Sequence, residues 1–254
     1  MHRVAIVGGA GRMGQAMARG LGALEDLSVV ALVDVNDPEY AGGALVARVI
    51  DDLDPATLDV VVDFSAPAGV VRSANWCATH GKGLVIGTTG MGDAEMAAVR
   101  EAATRTGVVM AANFSLGAVL AERFAQMAAP FFPSVEIIEL HHDRKVDAPS
   151  GTSIATARAI ASARRGPVAD PTEKLTVDGA RGADVVDGVR VHSVRLPGLT
   201  AHQEVLFGGP GEGLSIRHDS YDRTSFVPGV ALAVRAVSRE PGLRVGIDSL
   251  LGGA

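Results

Sequence analysis

The sequence has a single cysteine, few aromatic residues, no excess of positive charge and no long apolar run. Because Cys77 has no second cysteine to pair with, an internal disulfide and a metal site of several cysteines are excluded, and a reducing cytosol suits the chain. Lysine and arginine total 23 against 29 aspartate and glutamate, a formal net charge of −6, so no general basic field attracts nucleic acid.

Apolar stretches are short and are interrupted early. The longest uncharged stretch, Thr106 to Ala121, contains polar residues and is shorter than the ~20 residues of a membrane-spanning helix. The apolar start, Val4 to Val7, is followed too soon by Arg12 to be a signal peptide. Hydrophobic residues at 47% exclude a disordered chain. We expect a globular, cytoplasmic protein that binds neither membrane nor nucleic acid.

Short β-branched runs alternate with alanine-rich helical segments in the first half of the chain. Strands are predicted over 4–9, 29–35, 58–64, 83–90 and 108–114. Helices are predicted near 12–21, 68–79 and 93–106. Apolar strands separated by helices are typical of an α/β fold, a doubly wound parallel sheet covered on both faces.

The pattern changes after Phe114. Helices are predicted over 115–128, 152–163 and, near the end of the chain, from Thr224 to Ser238. Strands are predicted over 135–142, 174–177, 189–196, 202–208 and 213–218. Little helical pattern separates the later strands, which favours a second α+β domain with a mixed or antiparallel sheet. A large exposed sheet face of this kind is suited to an interface between subunits.

A glycine-rich loop joins the first predicted strand to the first predicted helix. Gly9, Gly11 and Gly14 satisfy the G-x-G-x-x-G pattern, and Gly8 adds a further glycine. Such glycines allow a tight turn and a close approach of the backbone to a pyrophosphate, which the amide groups at the helix start then bind. The strand–turn–helix context favours a Rossmann-like dinucleotide site over a turn that binds nothing.

Asp34 lies twenty residues after the last of these glycines, at the end of the second predicted strand. An acid there accepts hydrogen bonds from a ribose diol and repels a 2′-phosphate. Because Val35 follows instead of a cation, the sequence favours NADH. Arg12 leaves NADPH open, since it can pair with a phosphate, although it can equally contact the pyrophosphate or remain solvated.

Two further segments carry candidate site residues. The turn Gly87 to Gly90 reads GTTG and falls at the carboxyl end of a strand, where it either holds a ribose or nicotinamide or simply forms a turn with a helix cap. The segment from Glu139 to Thr152, ELHHDRKVDAPSGT, places two histidines and Lys145 at the end of an apolar strand, before a helix start able to bind a carboxylate. If the strand persists, His141 and His142 point to opposite faces, so no metal site is expected.

These motifs resemble those of the 4-hydroxy-tetrahydrodipicolinate reductase (dihydrodipicolinate reductase) family of bacterial lysine and diaminopimelate synthesis. The similarity rests on GGAGRMG, GTTG, AANF and especially ELHHDRKVDAPSGT, and it extends to RHDSYDRTSFVPGV at 217–230. The segments ARGADV (180–185) and AHQEVLFG (201–208) are most similar to the actinobacterial branch.

The resemblance implies a homotetramer that reduces a cyclic hydroxy-imine dicarboxylate with NADH or NADPH and releases water. It implies a dinucleotide-binding domain over 1–113 and 223–254, and a substrate-binding and tetramerisation domain over 114–222. It also implies that His141 exchanges a proton, that Lys145 donates one, and that His142, Gly151 and Thr152 bind the substrate. The cofactor residues implied are Gly8, Gly9, Ala10, Gly11, Arg12, Met13, Asp34, Gly87, Thr88, Thr89, Ala111, Ala112, Asn113 and Phe114.

The sequence departs from relatives at two places. Val35 stands where some carry an arginine, which argues against a strong NADPH preference, and Ala10 and Arg12 stand where some actinobacterial relatives carry lysines. During the reduction we expect Lys145 to be the proton donor and His141 to act mainly electrostatically.

Three interpretations outside this assignment stay open. Arg223 either binds a substrate carboxylate or forms a surface ion pair. A semialdehyde dehydrogenase would need Cys77 as its nucleophile, yet the helical pattern around that residue favours a buried thiol. A non-catalytic NADH sensor would need the glycine loop but not His141 and Lys145.

Overall fold

The computed structural model describes residues 1–237 and 240–252. Contacts divide the chain into two compact units, one formed by Met1–Leu116 with the segment from Arg223, the other by Gly117–Asp222. Ser238, the predicted end of the last helix, lies outside the described residues, as do the last two residues of the chain. No helix among the described residues is both long and apolar enough to cross a membrane.

The first unit contains a seven-stranded sheet in which every neighbouring pair is parallel. Numbered along the chain, its strands are β1 (His2–Val7), β2 (Leu27–Val33), β3 (Leu45–Ala47), β4 (Val60–Asp63), β5 (Gly83–Ile86), β6 (Gly107–Met110) and β12 (Gly242–Val245). The order across the sheet is β3-β2-β1-β4-β5-β6-β12, which is the Rossmann order with an added edge strand. The predicted parallel sheet is confirmed, and the carboxyl ends of its strands lie along one edge.

Within the described residues of this unit the α-helices are α1 (Arg12–Gly22), α2 (Pro67–His80), α3 (Asp93–Ala103) and α6 (Val227–Val237). Helix α2 begins at a proline, whose fixed φ suits the first helical position, and ends before Gly81, which has a left-handed φ of +63°. The central strands read as continuous apolar runs because helices bury them, and all four residues of both β4 and β5 are buried.

The second unit contains a mixed five-stranded sheet in the order β11-β10-β7-β9-β8. Its strands are β7 (Ser134–His141), β8 (Ala183–Val186), β9 (Val189–Arg195), β10 (Ala201–Gly209) and β11 (Glu212–Ser220), and its helices are α4 (Leu116–Ala128) and α5 (Gly151–Ala163). β7 and β9 are parallel and the other neighbours antiparallel, so the predicted mixed sheet is confirmed. Val135, Ile137, Ile160, Val205 and Phe207 form part of its core.

The strand predicted over 174–177 is wrong. The segment is not a strand, and its apolar residues Leu175 and Val177 are exposed, so this strand-like run faces no core. In this unit the sequence prediction missed β8, which forms a hairpin with β9. Asp187 and Gly188 form its two-residue turn with φ of +49° and +78°, the Asp-Gly signature of a tight hairpin.

Other elements differ from the prediction at their boundaries. β2 ends at Val33, so Asp34 follows that strand instead of ending it. The short edge strands β3 and β12 carry too little pattern to be predicted. The last helix starts at Val227 after a 3-10 turn over Arg223–Phe226, and its proline occupies the second helical position, where no hydrogen bond is lost.

Candidate active site

The glycine loop packs so closely that side chains are excluded at three positions. Gly8 has a φ of +80°, and a Cβ there would lie 2.6 Å from the carbonyl oxygen of Phe64. A Cβ on Gly14 would lie 2.1 Å from the carbonyl oxygen of Gly8, and one on Gly9 would lie 2.8 Å from the Cβ of Leu32. Strand, turn and helix therefore approach one another as a dinucleotide-binding turn requires.

The start of α1 is suited to a phosphate. Its N-cap, Gly11, offers no side-chain cap, and the first turn holds no acidic residue. Amide groups of the first helical turn point outward and the helix dipole favours negative charge there. Arg12 is exposed at this position and Met13 is half-buried. The chain thus fits a dinucleotide at the place where the sequence predicts one.

Asp34 is held against the glycine loop. Its Oδ2 accepts a hydrogen bond from the Ala10 amide at 3.0 Å, and its Oδ1 accepts one from the Asn36 amide at 2.9 Å. The Asn36 side-chain amide also donates to Oδ1, at 3.4 Å. The carboxylate is thereby oriented, and Oδ2 retains a lone pair for a hydroxyl donor. The next side chain, Val35, is 79% exposed and carries no charge.

Arg48 lies next to this acid and was missed by the sequence analysis. It follows β3, whose carboxyl end lies beside that of β2. Its guanidinium donates to the Val35 carbonyl at 3.1 Å and to Asp37 Oδ1 at 2.6 Å. The weak pattern of a three-residue edge strand gave no signal for this position.

The GTTG turn is fixed by a buried carboxylate at the end of β4. Asp63 is fully buried, and its Oδ1 accepts hydrogen bonds from the Thr88 hydroxyl at 3.0 Å and the Ser65 hydroxyl at 2.7 Å. Thr88 therefore uses its hydroxyl hydrogen internally, whereas Thr89 is exposed. A Cβ on Gly87 would lie 2.0 Å from the Phe64 ring, so only glycine fits there. The turn is not a helix cap, because α3 begins only at residue 93 with Gly92 as its N-cap.

The AANF segment follows the neighbouring strand β6. The Ala111 amide donates to the Ile86 carbonyl at 3.1 Å, which places it beside the GTTG turn. Ala112 is exposed, Asn113 Oδ1 accepts a hydrogen bond from the Ser115 amide at 2.9 Å, and Phe114 is buried. All the predicted cofactor residues thus follow β1, β2, β5 or β6 at the edge that binds ligands in such sheets.

The candidate catalytic residues lie in the second unit, at the end of β7. The strand ends at His141, and a turn follows in which the Lys145 amide donates to the His142 carbonyl at 3.1 Å. Lys145 Nζ lies 2.8 Å from each carboxylate oxygen of Asp147. The hydrogen bond from Lys145 lowers the pKa of Asp147, so the lysine faces a carboxylate.

His141 contacts a buried carboxylate that sequence reasoning did not identify as functional. Its Nδ1 hydrogen-bonds to Glu139, whose side chain is fully buried. Burial alone would raise the pKa of Glu139, but hydrogen bonds from His141, Arg195 and Ser193 outweigh burial and hold that pKa at about 2. The sequence held a signal for this contact, because residues i and i+2 of a strand, here Glu139 and His141, lie on the same face.

The neighbouring histidine has an unsatisfied nitrogen. His142 Nδ1 is buried, and no partner for it is found among the described residues. A buried nitrogen of this kind is rarely left without a partner, which favours a ligand atom in this position. Across the described part of the chain no cluster of three or more His, Cys, Asp or Glu side chains is arranged to hold a metal ion.

The Ser-Gly-Thr segment starts α5 as predicted. Ser150 is the N-cap, and its Oγ accepts a hydrogen bond from the Ser153 amide at 3.2 Å. Gly151 lies in open space and Thr152 is half-buried, with no acidic residue in the first turn. Gln203 of β10, which the sequence did not single out, accepts a hydrogen bond from Ser153 Oγ at 2.7 Å and so fixes this helix start to the sheet.

Arg223 and Cys77 are the two residues whose roles the sequence left open. Arg223 is exposed at the first position of a 3-10 turn. Cys77 is fully buried in α2, where burial raises the pKa of its thiol far above the usual range. A thiol that is neither exposed nor ionised does not act as a nucleophile, which removes the basis for the semialdehyde dehydrogenase interpretation.

Comparison with known sequences gives matches over nearly the whole chain. A family profile described as "Dihydrodipicolinate reductase, N-terminus" matches residues 2–114, and one described as "Dihydrodipicolinate reductase, C-terminus" matches residues 117–251. The 4-hydroxy-tetrahydrodipicolinate reductase of Mycolicibacterium vanbaalenii is 51% identical over 253 residues, 98% of each chain. That of Nocardia farcinica is 50% identical over 258 residues, again 98% of each chain.

Solved structures give the same similarity at the level of the fold. A dipicolinate-bound dihydrodipicolinate reductase from Paenisporosarcina sp. TG-14 superposes with a TM-score of 0.89 at 40% identity, over 98% of this chain and 99% of that one. A myo-inositol dehydrogenase from Corynebacterium glutamicum, at 14% identity, has a TM-score of 0.61 over 95% and 90% of the two chains. This more distant likeness shows the two-part dehydrogenase fold alone.

Proposed function

The chain belongs to the dihydrodipicolinate reductase family, and on that premise we propose how its own residues carry out the reaction. The reaction is the NAD(P)H-dependent reduction of 4-hydroxy-tetrahydrodipicolinate to tetrahydrodipicolinate, in lysine and diaminopimelate biosynthesis. One hydride and one proton are added to the substrate and one water is lost. The bound nicotinamide supplies the hydride, and the remaining tasks fall to this chain.

Lys145 supplies the proton in this proposal. Addition of hydride to the conjugated ring of the substrate moves negative charge toward its nitrogen and the adjoining carbon, and a nearby ammonium group stabilises that charge before giving up a proton. Asp147 holds the ammonium group in place at 2.8 Å. His141, at the end of the same strand, adds to the local electrostatic field.

Substrate carboxylates bind at the start of α5. The helix begins with Gly151 and Thr152, and the unpartnered His142 Nδ1 offers a further polar contact. A dicarboxylate meets both needs, because the helix start favours one anionic group while the imidazole binds the other. The observation that carries the proposal is that Lys145, His141 and this helix start occur together at the end of β7.

Binding of dipicolinate tests this assignment without turnover. We expect Thr152→Val and His142→Gln each to weaken dipicolinate binding about tenfold, the usual loss for one hydrogen bond to a charged group. Thr172→Val, at an exposed threonine of the same unit, is the control and leaves affinity unchanged. Calorimetric titration in the presence of NADH measures all three. Unchanged affinity in both site variants contradicts the carboxylate site.

NADH is the favoured cofactor in our proposal. The oriented Asp34 carboxylate disfavours a 2′-phosphate, and the exposed Val35 side chain supplies no cation. Arg48 brings a guanidinium to the Val35 carbonyl, but Asp37 neutralises it at 2.6 Å. This pairing leaves NADPH usable but not preferred.

The ratio of kcat/KM for the two cofactors tests this preference. We expect a higher value with NADH for the unaltered enzyme. Arg48→Ala lowers kcat/KM for NADPH about tenfold, the size of one partly screened charge contact, and spares NADH. Asp37→Asn frees the guanidinium and raises kcat/KM for NADPH. A preference for NADPH in the unaltered enzyme overturns the proposal.

A homotetramer completes the proposal. Support comes from β11, a nine-residue edge strand whose first four residues are exposed, since a long bare edge is seldom left uncovered in a monomer. Light scattering coupled to size exclusion measures the mass directly. Four times the mass of one chain is expected, and a stable monomer at assay concentration contradicts it.

A further inference from the structure

Glu139 and Arg195 form a buried ion pair beside the two catalytic candidates. Arg195 donates from Nη1 to Glu139 Oε2 at 2.9 Å and from Nη2 to Glu139 Oε1 at 2.8 Å, a two-pronged contact on a fully buried carboxylate. The pair joins neighbouring parallel strands, because His141 of β7 lies opposite Arg195 of β9 in the register. The contact is thus built from the sheet and not from a mobile loop.

The same guanidinium reaches the loop that carries the lysine. Arg195 Nη2 donates to the Asp147 carbonyl at 2.7 Å, and the Asp147 carboxylate binds Lys145. A continuous series of contacts therefore runs from His141 through Glu139, Arg195 and Asp147 to Lys145. Both catalytic candidates are attached to one rigid pair.

Glu139 also determines which nitrogen of His141 carries a proton. A carboxylate only accepts hydrogen bonds, so His141 Nδ1 must be the donor of the contact between them. The other nitrogen, Nε2, is then left to interact with substrate, as in sites where a buried carboxylate fixes the tautomer and orientation of a reactive imidazole. The charged groups that take part are Glu139, Arg195, Asp147 and Lys145.

We propose that Glu139 and Arg195 are positioning residues for the reduction: Glu139 fixes the Nδ1–H tautomer of His141, and Arg195 fixes both Glu139 and the loop of Lys145 to the end of the sheet. The proposal rests on the roles proposed above for His141 and Lys145. Neither residue of the pair needs to touch the substrate for this role.

Glu139→Gln tests the tautomer directly, since it keeps the shape of the side chain and removes its charge. We expect kcat to fall about 10- to 100-fold, the range found for groups that orient a metal-bound histidine, with the KM for NADH unchanged. Nitrogen NMR of the labelled imidazole, assigned by comparison with His141→Gln, is expected to change from a single Nδ1–H form to a mixture of tautomers. A role in stability alone would leave that tautomer ratio unchanged.

The chain offers a matched control three residues earlier on the same strand. Glu136 also binds a histidine and an arginine, with His192 Nε2 at 2.6 Å and Arg181 on its other oxygen. Glu136→Gln therefore removes the same kind of charge from a similar network away from the end of β7. It is expected to leave kcat and the His141 signals unchanged.

Arg195→Lys is the second variant and decides the matter if Glu139→Gln does not fold. It keeps a positive charge beside Glu139 and gives up the two-pronged contact and the bond to the Asp147 carbonyl, so kcat is expected to fall about tenfold. Unchanged kcat and an unchanged His141 tautomer in the folded variants overturn the positioning proposal. If Lys145→Ala loses turnover while these variants retain it, only the positioning proposal fails; if Lys145→Ala retains turnover, the proposed catalytic role itself fails.

Discussion

Replacing Lys145 by alanine is expected to slow turnover strongly and to leave NADH binding unchanged. The substitution removes the ammonium group that lies 2.8 Å from both oxygens of Asp147. General acid catalysis contributes about 10²- to 10⁴-fold, so kcat is expected to fall by that factor, which corresponds to about 2.7 to 5.5 kcal/mol of transition-state stabilisation. Binding of NADH, assigned to the other unit, is expected to remain unchanged.

The structure also predicts that the Lys145→Ala variant folds. Among the described residues Lys145 pairs with Asp147 alone; the lysine side chain is 20% exposed and the aspartate side chain 58%, so the pair is open to solvent on the aspartate side. Solvent-exposed ion pairs stabilise a fold by about 0.2 to 1 kcal/mol, which shifts the melting temperature of a chain of this size by no more than about 4 °C. A loss of turnover therefore reports on the chemistry and not on unfolding.

Stopped-flow and steady-state assays of Lys145→Ala with substrate generated in place measure kcat, while fluorescence titration measures NADH affinity. Lys174→Ala is the control, because Lys174 is an exposed lysine of the same unit. It is expected to retain full activity. Near-full kcat in Lys145→Ala would refute the assignment of the proton donor.

Three further predictions concern the glycine loop, the thiol and the buried acid. Gly14→Ala places a methyl group 2.1 Å from the Gly8 carbonyl oxygen and abolishes NADH binding in a fluorescence titration, whereas Gly22→Ala, at the end of the same helix with 4.0 Å of space, does not. Alkylating reagents leave activity intact and modify Cys77 only after denaturation, as mass spectrometry would show; rapid inactivation of the folded enzyme would contradict this. Folding lowers the pKa of Glu139 from 4.5 to about 2. The ionised carboxylate therefore contributes fully to the free energy of unfolding above pH 4.5, and this contribution is lost as the pH falls toward 2. Urea unfolding therefore shows the unaltered protein losing its stability advantage over Glu139→Gln through that range, and a constant advantage would contradict the linkage.

Much of the fold follows from local pattern. Continuous apolar runs such as the one around Val61 predict strands buried on both faces, and glycines such as Gly8 and Gly14 predict the turn between β1 and α1. The polar segment at the end of β7 is equally visible, because cations and a helix start follow an apolar strand directly. These features depend on neighbours in sequence, which is why they can be predicted.

The remaining parts depend on contacts between distant segments. Arg195 is 56 residues from Glu139, and nothing local distinguishes it from a solvated arginine. Gln203, which fixes the start of α5, is 50 residues from Ser153. The mistaken strand at 174–177 shows the converse, since its apolar residues contact no core. Arg195 reaches Glu139, and Gln203 reaches Ser153, only when the second unit is folded.

Coupled turnover is the most direct test that this chain reduces 4-hydroxy-tetrahydrodipicolinate. The enzyme is supplied with substrate formed in place by the synthase that condenses pyruvate with aspartate semialdehyde, and oxidation of NADH and NADPH is followed by absorbance. We expect oxidation that depends on the synthase, with the higher kcat/KM for NADH. No oxidation of either cofactor by folded protein that still binds NADH would contradict it.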